Sequence, residues 1–304
     1  MKVLKRYILL LAAALLLNGC TFAGEEPILP AEETVPEVQE VPVEEPEQPT
    51  EEPVEPMPEP VPEPEPEPEP AEEAPVVQAY DFTQPAPERE AVDNTYFADA
   101  AFVGDSRTDG FMIYSGIGTG KNLTSNGLSI FKLADKKALK IGAEKYTLLE
   151  ALEMDSYGKV YLCLGVNELG VYDDEGFYRS YLAAIDSIRA IQPDAVIYIQ
   201  GLIPINEGEI AASGGNTDLT NEHLRVYNDL MRKAAQEKQV VYLDLYTEFV
   251  DENGELPAGA SRDGVHLKKD YCKRWLTYLQ THTVDPVSLG QGVTEMESEE
   301  TIPA

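Results

Sequence analysis

Four residues far apart in the chain have side chains suited to nucleophilic attack on a carbonyl: Ser106, Asn167, Asp263 and His266. A serine hydroxyl is a weak nucleophile until a base takes its proton. His266 can be that base. Asp263, three residues earlier, is near enough to accept the other imidazole N–H and to set tautomer and orientation. Charge then develops on the carbonyl oxygen and needs donors already in place. The Ser106 backbone N–H and the Asn167 side-chain amide are two such donors. The Gly127 N–H, in Ser125-Asn126-Gly127, is a third candidate. This chemistry needs neither a metal nor an organic cofactor, and the sequence has no CxxC or paired-histidine spacing for zinc.

Each of these residues also has a plainer role open to it. Ser106 could cap a helix, since serine is a favoured N-cap. Asn167 could be a turn residue beside Gly165 and Gly170. Asp263 could be a loop acid, with Asp244 at a strand end serving instead. Arg107 and Asp109, beside Ser106, either line a substrate cleft or sit on a solvated helix face, and Glu168, beside Asn167, is open in the same way. Tyr172 and Asp173-Asp174 could border the same cleft. His223 and His282 fall at helix ends, where surface or dipole-favoured roles suit them better than catalysis.

A scaffold must bring these groups together. Five apolar runs read as strands: Ala100–Val103, Leu128–Leu133, Lys159–Leu164, Ala195–Gly201 and Val240–Leu245. Helical periodicity fills the gaps over 177–191, 221–238 and 268–279. Strand–helix alternation with apolar strands predicts a three-layer α/β/α domain around a parallel sheet. Such sheets bind ligands outside the carboxyl ends of their strands. Ser106 follows the first strand and Asn167 the third. Asp263 and His266 lie in a loop beyond the fifth.

Gly104-Asp105-Ser106 resembles the nucleophile block of SGNH (GDSL-like) hydrolases, Gly165-Val166-Asn167 their Gly-x-Asn block, and Asp263-Gly264-Val265-His266 their Asp-x-x-His block. A lone Gly-Asp-Ser arises by chance in roughly one chain in ten of this length, so the weight rests on three blocks in order over about residues 95–282. The resemblance implies a flavodoxin-like fold with five parallel strands. It implies Ser106 as nucleophile, His266 as base and Asp263 as its orienting acid, with Ser106, a second-block glycine and Asn167 lining an oxyanion hole. Glu168 stands where many members have Asp. Arg107-Thr108 follows the serine in place of Leu, so lipase specificity is not implied. Gly127 precedes the second strand candidate, where the family's glycine follows its strand.

The termini read differently. Lys2, Lys5 and Arg6 precede a short apolar run, Tyr7–Leu17, which is the pattern of a secretory signal. It closes on Leu17-Asn18-Gly19-Cys20, which resembles a bacterial lipobox, with Cys20 lipidated. Residues 21–75 hold nineteen Glu and no Lys or Arg, out of a net charge of −32 for the whole chain. Dense Pro and Glu exclude helix, sheet and core. As polyproline II this stretch would reach on the order of 150 Å. The organisation expected is therefore a signal over 1–20, a disordered stalk over 21–92, one hydrolase domain over 93–282 and an acidic disordered tail over 283–304. Acidity without a basic stripe argues against nucleic acid. Cys163 and Cys272 are either free buried thiols or one bridge.

Together these features point to a monomeric extracellular serine esterase, lipid-anchored to the membrane of a Gram-positive type of cell and acting on ester-bearing carbohydrate such as O-acetylated wall glycan. Two alternatives share the fold: an O-acetyltransferase, with a sugar hydroxyl replacing water, and a non-catalytic wall-binding module.

Overall fold

The computed structural model describes residues 79–290. Cys20, the signal segment, the stalk up to residue 78 and the tail from residue 291 lie outside the described residues.

Seven strands and seven α-helices make up this stretch, joined by loops and short 3-10 segments. The strands are β1 (Ala100–Gly104), β2 (Lys121–Thr124), β3 (Leu139–Ile141), β4 (Glu144–Tyr146), β5 (Lys159–Cys163), β6 (Val196–Gln200) and β7 (Val241–Leu243). The helices are α1 (Ser106–Tyr114), α2 (Leu148–Leu152), α3 (Asp174–Ile191), α4 (Glu207–Ala212), α5 (Asn221–Lys238), α6 (Leu245–Phe249) and α7 (Lys269–Thr281). Five strands form one parallel sheet in the order β2-β1-β5-β6-β7, and β3 and β4 form a separate antiparallel hairpin. The order reverses between β1 and β5, and that switch point is where such sheets open a crevice at the carboxyl ends of their strands. The three-layer, five-stranded, flavodoxin-like architecture expected from the sequence is the one observed.

Period-two alternation builds a core on each face of the sheet. Val103, Leu162, Ile199 and Tyr242 point to one side, where α2, α3 and α5 cover them. Phe102, Tyr161, Tyr198 and Val241 point to the other, under α1, α6 and α7. In-register pairing stacks Phe102, Tyr161 and Tyr198 across three strands, with centroids 4.9 and 4.6 Å apart and rings tilted by only 8° and 6°. The helices supply matching stripes at spacings of three and four residues: Phe177, Tyr181, Ala184 and Ile188 on α3, and Cys272, Trp275, Leu276 and Leu279 on α7.

Two expectations need correction. The second strand is Lys121–Thr124, not Leu128–Leu133. It is an edge strand, and only Leu123 of its four residues is buried, so it carries no apolar signature. Leu128–Leu133 instead forms a turn and a short 3-10 segment (Ile130–Lys132) capped by Ser129, which buries Leu128, Ile130 and Leu133. The domain also extends past its expected edges at 93 and 282. Residues 79–92 are not stalk. Ala86 N–H donates to Tyr242 O at 2.9 Å, Arg89 N–H to Thr281 O at 2.7 Å and Val92 N–H to Gln280 O at 3.0 Å. Residues 283–290 likewise pack on the domain: Val284 is buried and Tyr80 N–H donates to Ser288 O. The aromatic and aliphatic residues of these flanks cover the second core, which the Pro- and Glu-rich composition further out could not do.

Candidate active site

β1 hands over directly to α1. Asp105 is the N-cap, its carboxylate accepting from Arg107 N–H at 2.9 Å, so the capping role open to Ser106 falls to its neighbour. Ser106 is the first helical residue, and its N–H belongs to the first turn, which has no intrahelical acceptor. The turn is tight. A Cβ on Gly104 would lie 2.2 Å from Thr108 Oγ1 and 2.8 Å from the Cys163 carbonyl.

Ser106 Oγ meets His266 Nε2 at 2.8 Å, and His266 Nδ1 meets Asp263 Oδ2 at 2.8 Å. The other Asp263 oxygen accepts from the backbone N–H of His266 at 2.9 Å and of Val265 at 3.0 Å. Partial burial alone would raise the Asp263 pKa. The hydrogen bonds from the His266 and Val265 amides and the His266 ring outweigh it and hold the carboxyl below its ordinary value. An ionised Asp263 requires the proton on Nδ1, so Nε2 presents a lone pair to the Ser106 hydroxyl. Asp244, the alternative acid, caps α6 through Thr247. His282 bonds the Tyr278 carbonyl, and His223 lies between Asp174 and the Leu169 carbonyl.

Several residues that sequence reasoning passed over hold the histidine loop in place. Asn221 and Asn228, polar positions on the buried stripe of α5, clamp the segment after β6. Asn228 bonds both N–H and C=O of Leu202, and Asn221 both of Ile205. Asn206 N–H then donates to the Gly264 carbonyl at 2.9 Å. Glu209 on α4 accepts from Ser261 Oγ, which itself accepts from Gly264 N–H at 2.8 Å. The Ser261 and Gly259 donors keep Glu209 below its ordinary pKa. A polar residue recurring on an apolar helical face is the one sequence signal that marks Asn221 and Asn228.

Gly127 and Asn167 are linked through Leu128, whose carbonyl accepts from the Asn167 amide. Correcting β2 places Gly127 three residues after that strand, so the mismatch in block order disappears. Gly127 has φ of +65°, sits in a turn closed by Leu128 N–H on Ser125 O, and its own N–H donates to no acceptor among the described residues. Asn167 Nδ2 donates to Leu128 O at 3.0 Å and to Asp105 Oδ2 at 3.1 Å. Both amide hydrogens are therefore committed inside the protein, and one must be released before the amide can serve a ligand oxygen. Burial pushes the Asp105 pKa up to about 6, against the pull of the Arg107 N–H and guanidinium.

The cleft beside Ser106 has a volume of about 290 Å³ and is walled by Asp109, Ile113, Tyr114, Asn126 and Arg262. Arg107 reaches it only in part. Its side chain is buried and donates to the Ile203 carbonyl at 2.8 Å, so its charge serves the scaffold. Glu168 is not in the cleft at all. It is fully buried, with one oxygen on the Ile130 N–H and the other without a hydrogen-bond partner among the described residues. Burial pushes its pKa up to about 7, only partly offset by the nearby Ser129 hydroxyl and the Ile130 amide. Tyr172 and Asp173-Asp174 also stand apart from the cleft lining. Cys163 and Cys272 are free, buried thiols that burial raises to about 12 and about 11. A larger depression of about 410 Å³ lies between residues 85–88, α6 and the end of α7, where Thr281 Oγ1 meets His282 Nδ1 at 3.0 Å and the same nitrogen meets the Tyr278 carbonyl at 2.9 Å.

Several solved structures are similar to this chain. A solved structure from Streptococcus pneumonia, named for platelet activating factor, is 21% identical, with 62% of this chain and 84% of that one covered at a TM-score of 0.50. A GDSL-like lipase from Bacteroides thetaiotaomicron VPI-5482 is 13% identical, covering 61% of this chain and 88% of its own at a TM-score of 0.46. A peptidoglycan O-acetylesterase is 18% identical, covering 53% and 45% at a TM-score of 0.41. No curated protein sequence matches the chain. The model of the GDSL-like lipase/acylhydrolase family matches residues 102–270. Since that match runs from inside β1 into the start of α7, over more than half of the 304 residues, the chain belongs to the GDSL-like lipase/acylhydrolase family and is an ester-bond hydrolase.

Proposed function

We propose that the protein is a serine esterase that removes short acyl groups, O-acetyl above all, from carbohydrate outside the cell. The observation that carries the catalytic reading is the continuous chain Ser106–His266–Asp263, with both links at 2.8 Å. Ser106 Oγ attacks the ester carbonyl carbon while its proton passes to His266 Nε2. The oxyanion forms towards the N–H groups of Ser106 and Gly127 and the Asn167 amide. As the carbon–alkoxide bond breaks, His266 Nε2–H protonates the leaving alcohol. Water then attacks acyl-Ser106, His266 takes its proton, and the acid leaves as that proton returns to Ser106 Oγ. Asp263 holds the imidazole in the required tautomer throughout.

The substrate class rests on the cleft and on the sequence. Asp109, Asn126 and Arg262 suit a polyhydroxy alcohol better than a long acyl chain. The signal, Cys20 and the acidic stalk suit a domain held away from a membrane by a lipid anchor, within reach of wall glycan. The test is turnover of p-nitrophenyl acetate and release of acetate from purified wall glycan. Both should be lost in Ser106→Ala. Turnover that survives this substitution would refute the assignment of the nucleophile.

A further inference from the structure

The cleft has two cationic side chains in its lining, and they are used differently. Arg107 is buried and donates to a backbone carbonyl. Arg262 is exposed, and among the described residues its side chain makes no ion pair and no hydrogen bond. Its guanidinium is held over the Tyr114 ring, 5.0 Å from the centroid, and its backbone N–H is tied to the His266 carbonyl at 2.9 Å. Backbone bond and ring together fix an unspent fork of donors beside the base. Of the acids nearby, Asp263 is engaged by His266, and Asp109 accepts from Asn122 at 2.9 Å and Thr124 at 3.3 Å.

Direction follows from the chemistry. His266 must protonate the leaving oxygen, so the alcohol half of the ester lies on the His266 side, towards Arg262 and Tyr114. The carbonyl oxygen points the other way, towards Asn167 and Gly127. A guanidinium presenting free donors recognises a carboxylate or phosphate through two parallel hydrogen bonds, and an aromatic ring carries the apolar face of a sugar. We propose that Arg262 and Tyr114 form an alcohol-side subsite that selects esters of sugars bearing an anionic group. This deepens the esterase reading and rests on it. Because the chain carries a net charge of −32, any preference for an anionic substrate must come from such a local site.

Three esters test it on the full chain: acetylated methyl glucoside, the corresponding glucuronoside and the corresponding glucoside phosphate, with p-nitrophenyl acetate as reference. The wild type should show kcat/KM about tenfold higher for an anionic ester than for the neutral sugar. Higher salt should shrink that ratio. Arg262→Gln should bring the ratio close to one, and Arg262→Lys should keep part of it. The glucuronoside and phosphate arms show whether carboxylate or phosphate is preferred. Turnover without anionic preference in the wild type, or a preference unchanged in Arg262→Gln, would overturn the subsite while leaving the esterase reading intact. Absence of turnover on every ester, p-nitrophenyl acetate included, would overturn both.

Discussion

Asn167 Nδ2 donates to the buried Asp105 carboxylate at 3.1 Å, across the switch point between β1 and β5. The second donor bond of that amide goes to Leu128 O, so both acceptors fix which end of the side chain is nitrogen. Asp105 thus binds the first turn of α1 with one oxygen and the Asn167 amide with the other. Removing the amide in Asn167→Ala should lower kcat by about 10²–10³, the usual effect of losing one oxyanion donor. Asp105→Asn keeps an oxygen for the cap but weakens the hold on Asn167. The expected result is a kcat reduced about tenfold or more with KM nearly unchanged, read from steady-state kinetics on p-nitrophenyl acetate.

Glu168 gives the protein a pH dependence of stability that is separate from catalysis. Its pKa is raised to about 7 by burial, against an ordinary value of 4.5. The folded state therefore binds the proton more tightly than the unfolded state. Stability is fully present below pH 4.5 and declines as pH rises through 7. Glu168→Gln removes this titration. Its stability relative to wild type should increase by about 3 kcal/mol between pH 4 and pH 8. Denaturant melts at the two pH values check this, and a gap that does not change with pH would refute the assignment.

The elements that carry the site differed in how far the sequence revealed them. β1, β5, β6 and β7 are buried on both faces, so each appears as an unbroken apolar run. Edge strand β2 is polar, and the apolar signal nearby belongs to Leu128–Leu133, whose apolar residues are buried from a turn and a 3-10 segment. Ser106, Asp263 and His266 were legible because they lie within three residues of a strand end or of each other. Asn167 was legible as a type and position. Its two protein acceptors were not, since Leu128 and Asp105 are brought to it only by the β2–β1–β5 order. Glu168 next door looks equivalent in sequence, yet it is buried with an oxygen on the Ile130 N–H while Asn167 is exposed. One step along a turn reverses which side a residue faces, and no periodicity records that.

The two candidate acids are separable by experiment. Asp263 engages both the ring and the backbone of the histidine, and Asp244 engages Thr247. Asp263→Asn should leave the fold intact and lower kcat by roughly 10⁴, because the amide can favour the wrong imidazole tautomer. Asp244→Asn should leave kcat unchanged and cost at most about 1 kcal/mol through the α6 cap. Kinetics and denaturant melts on both variants decide the matter, and a reversed pattern would move the triad acid to Asp244.

Gly264 couples the position of the base to the scaffold beneath it. Its φ is +89°, where L side chains are rare, and an added Cβ would lie 2.4 Å from Ile210 Cγ1 and 2.5 Å from the Asn206 carbonyl. The Ile210 side chain could shift, but the Asn206 carbonyl begins α4 and is held by the helix it opens. In Gly264→Ala the loop must therefore lift off α4, loosening the bonds of Gly264 to Asn206 and Ser261. Strain at such a position typically costs about 1–3 kcal/mol. Because Asp263 and His266 flank the glycine, the displacement should also lengthen the Ser106–His266 contact. Activity should then fall by about 10²-fold even where the variant is fully folded, since a shift of about 1 Å is enough for that. Melting the variant first fixes a temperature at which it is folded, and kcat at that temperature is the reading. A folded Gly264→Ala with wild-type kcat would show that the histidine is held by Asp263 alone, without the α4 support.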